Sequence, residues 1–150
     1  MFERFTKGAK EIVMSAEGEA RALGSPSIEA EHLLLAFTGS AASSGLAAAG
    51  LDRDALLRAI ESDFEGSLRA VGVSEETLAS APRRRRHRKL SFGASSRSAL
   101  ERAYVTAKER GDRRIEASHV ALGVLAAKRG TVPHVLRSAG FEVAELRTRV

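Results

Sequence analysis

Residues 28–32, Ile-Glu-Ala-Glu-His, return at 115–119 as Ile-Glu-Ala-Ser-His. The same shift of 87 positions lays Phe5 on Phe92, Ala16 on Ala103, Ala20 on Ala107, Gly24 on Gly111 and Leu35 on Leu122. Farther along the second copy is three residues longer, and Leu46, Ala49, Gly50 and Leu56 meet Leu136, Ala139, Gly140 and Leu146. A chain that repeats itself in this way is built from two like units, neither able to bury its apolar face alone. Any fold it adopts must be twofold in plan.

Each copy reads as four helices. In the first, Thr6 can cap a helix whose apolar residues Ala9, Ile12, Val13, Ala16, Ala20 and Leu23 recur at helical period, and Gly24 stops it. The second helix opens near Ile28 with Glu29 and Glu31 at its positive end. It is apolar nearly all round from Leu33 to Phe37, the pattern of a helix buried on every side. A short helix ends at Gly50, and Asp52 can cap a fourth with Leu56, Leu57, Ile60 and Phe64 along one side. The second copy predicts helices from Ser95 or Ser96 to Gly111, from Glu116 to Lys128, from Pro133 to Ala139, and from Val143 onward. No stretch alternates as a strand would. The expected fold is all-α, an eight-helix pseudo-twofold bundle of two four-helix repeats. Within a single domain over 1–150, repeat 1 covers about 2–69, a basic linker about 70–90 and repeat 2 about 91–150.

Charge points the same way. Six of the 24 basic side chains, Arg83, Arg84, Arg85, Arg86, Arg88 and Lys89, form one run between the copies, leaving 18 against 19 acidic ones elsewhere. Such a run could grip nucleic acid or an anionic surface, each cation meeting a phosphate. It contains no aromatic side chain to stack on bases, and it lies where the repeats join. A block of like charge repels itself and stays solvated, so a linking strap is the preferred reading. Nucleic-acid or anionic-surface binding through 83–89 is the alternative.

Other chemistries are poorly provided for. The sequence has no cysteine, hence no disulfide or thiolate ligand. It has no Gly-x-x-x-x-Gly-Lys-Ser/Thr phosphate loop, no Gly-x-Ser-x-Gly elbow and no His-Glu-x-x-His pair. His32 and His119 occupy one equivalent position in two separate repeats, which suits buried structural histidines better than a metal site or a general base. No cofactor, metal or catalytic set is expected, and no enzyme. No apolar run approaches the roughly 18 residues of a membrane span, and the charged N-terminus does not read as a secretory signal; a cytoplasmic location is expected.

The opening Met-Phe-Glu-Arg-Phe-Thr, the Ile28–Phe37 block and its second copy resemble the N-terminal domain of Clp ATPases, most closely the ClpC type. The resemblance spans nearly the whole chain and implies a module that docks adaptors and substrates for a ring unfoldase. It implies a groove between the first helices of the repeats that takes adaptor proteins and, in some relatives, cyclic-peptide antibiotics such as cyclomarin. The matching positions are Phe2, Lys10, Met14 and Glu17, with Phe92, Arg97, Glu101 and Tyr104. It further implies docking of phosphoarginine-marked proteins, for which Thr6 and Glu31 are retained, while Ser118 replaces the second acidic residue. No ATPase module is expected within these 150 residues, so the chain would be either a free-standing N-domain or a domain excised from a longer protein; free-standing, it would recruit substrates or act as a decoy for adaptors and peptides.

Overall fold

In the computed structural model, residues 2–72 and 89–150 are described. They form eight α-helices: α1 (Lys7–Ala22), α2 (Ala30–Thr38), α3 (Ser44–Ala48), α4 (Arg53–Ala70), α5 (Ala94–Glu109), α6 (Ala117–Leu125), α7 (Thr131–Ser138) and α8 (Val143–Thr148). A single 3-10 turn, Ala41–Ser43, leads into α3. Residues 73–88, most of the expected linker and including Arg83–Arg88, lie outside the described residues.

The local signals act as expected at several ends. Thr6 caps α1 by accepting the Ala9 N–H at 3.3 Å, and Asp52 caps α4 by accepting the Ala55 N–H at 2.8 Å. Gly24 and Gly111, equivalent in the repeats, take left-handed φ of 69° and 75° just beyond α1 and α5. Three ends differ. α6 stops at Leu125, three residues before Lys128, and α7 begins at Thr131, which puts Pro133 third in the helix. That position is still in the first turn, where a backbone N–H has no helical partner to lose. α5 begins at Ala94 with Gly93 as its cap residue, one or two residues earlier than the serines suggested.

α2 and α6 pack on each other at the centre, and each is also covered by its own repeat's first helix. Leu33, Leu34, Leu35 and Phe37 of α2 and Val120 and Val124 of α6 have no exposed surface. Each such side chain contributes about 1.5–3 kcal/mol by leaving water. The two first helices sit differently on this centre. α5 approaches α6 more closely than α1 approaches α2, because Gly123 offers only a hydrogen where its equivalent Ala36 has a methyl group. A Cβ on Gly123 would overlap the backbone of Ala99 and Ala103.

The repeats cross at their lead-in segments. Phe5 pairs in parallel with Ile115, and Phe92 pairs in parallel with Ile28. In the first bridge, the Thr6 N–H donates to the Ile115 carbonyl at 3.0 Å and the Ile115 N–H donates to the Arg4 carbonyl at 2.9 Å. In the second, Gly93 donates to Ile28 at 2.8 Å and Ile28 to Ser91 at 2.9 Å. The shift of 87 turns one set into the other. Among the described residues these single-residue bridges are the only strand-like pairings.

α4 outruns the body it packs on. Leu56 is its one buried residue among the described ones, and Phe64, expected on the apolar side, is 56% exposed. The neighbouring Asp63 meets His134 of α7 at 2.7 Å, tying the distal part of α4 to the other repeat. Nearer its start, Arg53 grips Glu19 of α1 through two bonds of 3.0 and 2.7 Å.

Candidate functional site

The seam between α1 and α5 is built from the lead-in segments and the outer faces of both helices. Phe2 lies edge-on to Phe5, with ring centroids 5.0 Å apart, and tilted 6.0 Å from Phe92. Phe5 and Phe92 are the repeat-equivalent pair, so Phe2 is the extra aromatic between them. Phe5 is buried; Phe2 and Phe92 are half-buried. Met14 of α1 is 74% exposed and Tyr104 of α5 is 43% exposed. Both are large side chains left in water on the two first helices.

Lys10, Met14 and Glu17 lie at intervals of four and three residues, as do Arg97, Glu101 and Tyr104, so each trio lines one helix face. The trios are equivalent under the repeat. Contacts reveal which way they point. The Glu17 carboxylate accepts the Leu90 N–H at 3.0 Å, reaching from repeat 1 to the lead-in of repeat 2. At the opposite end, Arg4 reaches from repeat 1 to α5, its guanidinium 5.7 Å from the Tyr104 ring centre and 3.4 Å from the hydroxyl. Leu90, expected to end the linker, is therefore buried as part of the folded seam.

Glu17 is an occupied carboxylate. The Leu90 N–H first, then the Arg21 guanidinium at 2.8 Å, hold its carboxyl below the ordinary range. Lys10, Arg97 and Glu101 are exposed.

Thr6 and Glu31 are placed at different inter-repeat junctions. The Thr6 hydroxyl caps α1 and donates to the Ile115 carbonyl at 3.4 Å. Glu31 lines a depression of about 270 Å³ beside Ser95, Ser98, Arg102, Arg129 and Thr131. Burial raises the Glu31 carboxyl above its usual value. A second depression, about 420 Å³, lies between α4 and α7 around Asp63 and His134.

Sequence reasoning read Glu29 only as first-turn charge for α2 and missed its reach to the other repeat. Its carboxylate accepts from the Ser27 hydroxyl at 2.6 Å and from both the hydroxyl and the backbone N–H of Ser95. Burial opposes its ionisation, but these bonds outweigh burial and keep the carboxyl below its ordinary value. Glu29 thus serves the N-terminus of α5, whose own cap residue Gly93 has no side chain to do so. The available signal was the glycine standing where repeat 1 has Thr6.

His32 and His119 close the N-termini of α2 and α6. Each Nδ1 accepts a backbone N–H three residues back, from Glu29 at 2.8 Å and from Glu116 at 2.9 Å. Asp112 holds the Nε2 of His119 at 2.8 Å. Among the described residues no three His, Cys, Asp or Glu side chains cluster as metal ligands would, and no helix is long and apolar enough to cross a membrane.

Residues 4–139 match the family model of the Clp repeat N-terminal domain. The chain belongs to that family. Its relatives include the chloroplastic chaperone ClpC2 of Oryza sativa subsp. japonica, 29% identical over 150 residues, and the chloroplastic chaperone ClpC1 of Arabidopsis thaliana, 30% identical over 152 residues. Both matches cover 100% of this chain and only 15% of the relative. The crystal structure of the N-terminal domain of ClpD from Arabidopsis thaliana superposes with a TM-score of 0.78 at 21% identity, covering 99% of this chain and 93% of that one. The Clp N-domain is an interaction module.

Proposed function

We propose that this Clp N-domain binds peptide segments of partner proteins in the α1–α5 seam, with adaptors and substrates of the Clp proteolytic system as the partners. The observation that carries the reading is the half-buried Phe2 between Phe5 and Phe92, with Met14 and Tyr104 exposed on the two flanking helices. A peptide side chain laid across this floor would bury apolar area already assembled, at little ordering cost. Lys10, Arg97 and Glu101 form the charged rim, and Glu17 holds the seam together from within. Cyclic-peptide antibiotics of the cyclomarin kind fit the same floor, because a closed ring loses little freedom on binding. The domain would act by recruiting partners, or as a decoy that withdraws them from another unfoldase. Phosphoarginine capture, if it uses Glu31, does so without Thr6, since the two stand at different junctions.

Calorimetric titration with a cyclomarin-type peptide tests the site. Phe2→Ala and Phe92→Ala should each weaken binding about tenfold or more, the usual loss when a central aromatic is truncated. Unchanged affinity in both variants would remove the seam from consideration.

A further inference from the structure

Resting on that reading of the seam, we propose that its preferred occupant is an acidic peptide, in which carboxylates flank an apolar side chain. Lys10 lies seven residues before Glu17 and Arg97 seven before Tyr104. Seven residues are two helical turns, so each cation shares the face of the residue that reaches across the seam. The two contacts across it, Arg4 with Tyr104 and Glu17 with Leu90, stand at opposite ends. The pseudo-twofold relation therefore puts Lys10 and Arg97, an equivalent pair, on facing helices between those ends. Neither has an ion-pair partner among the described residues. Arg4 and Lys89 add positive charge at the ends. Against these stand three acids. Glu17 is already engaged by Leu90 and Arg21, which leaves Glu101, exposed one turn from Arg97, and Glu3, exposed in the lead-in between Phe2 and Arg4. The two rows thus offer Met14 and Tyr104 as apolar surface, with Lys10 and Arg97 as cations that have no ion-pair partner among the described residues, complementary to carboxylates on either side of a Leu or Phe.

Three fluorescein-labelled peptides of one apolar sequence, with Glu, Gln or Lys at the flanking positions, would be titrated against the 150-residue chain by fluorescence polarisation. The Glu peptide should bind about tenfold tighter than the Gln peptide at low salt, and the gap should close as salt rises. Lys10→Glu with Arg97→Glu, both on exposed positions, should reverse the order in favour of the Lys peptide. Equal affinity for the Glu and Gln peptides, both still weakened by Phe2→Ala, would overturn the proposal and leave the groove standing. No binding by any peptide, or binding indifferent to Phe2→Ala, would overturn both. A single-stranded oligonucleotide displacing the Glu peptide with equal potency would show a general anion surface and defeat the proposal.

Discussion

Glu17 and Tyr104 hold the same position in the two repeats, yet they fasten opposite ends of one seam by different means. Glu17 accepts a backbone N–H from Leu90, while Tyr104 lies beneath the Arg4 guanidinium. One relation of symmetry is thus served by two chemistries, a charge-assisted hydrogen bond and a cation over a ring. The seam's geometry is retained although the residues have diverged.

Replacing Glu17 should show how much its end matters. Glu17→Ala removes the acceptor of Leu90 and the partner of Arg21 together, and should lower stability by about 1–2 kcal/mol in urea unfolding. Glu17→Gln keeps an acceptor for Leu90 and should lose less. Because the Glu17 carboxyl lies below the usual 4.5, the charged form's contribution is present above that value and disappears as pH falls through the lowered one.

The capping of α5 by another repeat's side chain predicts a coupling. Gly93→Ala would push its Cβ into the Glu29 carboxylate and should cost about 1 kcal/mol, as should Glu29→Ala. The double variant should cost clearly less than the sum. Gly93→Ser should be harmful with Glu29 present and beneficial in the Glu29→Ala background, where it can cap α5 as Thr6 caps α1. Thermal unfolding of these five variants beside the unaltered protein would decide this.

Gly123→Ala tests the close approach of α5 to α6. The added methyl meets backbone, which cannot swing aside, so a loss of about 1–3 kcal/mol is expected. The reciprocal Ala36→Gly should cost about 1 kcal/mol through helix propensity alone. A neutral Gly123→Ala would mean the helices part readily.

His32 gives the fold a dependence on acidity. Burial holds its imidazole below the ordinary 6.5, the nearby Glu29 and Glu19 opposing only in part, and its unprotonated Nδ1 accepts the Glu29 N–H. The folded state therefore binds fewer protons than the unfolded one. This contribution is complete above pH 6.5 and declines as pH falls through the lowered value. His32→Gln keeps an acceptor at the same position and should flatten that part of a melting temperature against pH curve.

Much of this architecture could be seen in the sequence because the relevant signals are local. The shift of 87 announced two units, Thr6 and Asp52 marked helix starts, and the unbroken apolar run Leu33–Phe37 marked the centre. What stayed hidden depends on residues distant in the chain. Phe5 could as well have paired with its own Ile28 as with Ile115; only the assembled structure shows the exchange. Glu17 looked like rim charge because its partner is a backbone N–H, which leaves no trace in residue type. Phe64 looked buried because helical period says which side is apolar but not how far the covering body extends.

The exchanged lead-in segments also set an order of events during synthesis. The N-terminal segment finds its mate only after Ile115 has left the ribosome, and Ile28 must wait for Phe92. A nascent first half thus carries an unsealed edge until the second has emerged, and chaperones or a second nascent copy could reach it in that interval. Split into separate halves, the protein should yield fragments that are poorly structured alone and recover their shape when mixed.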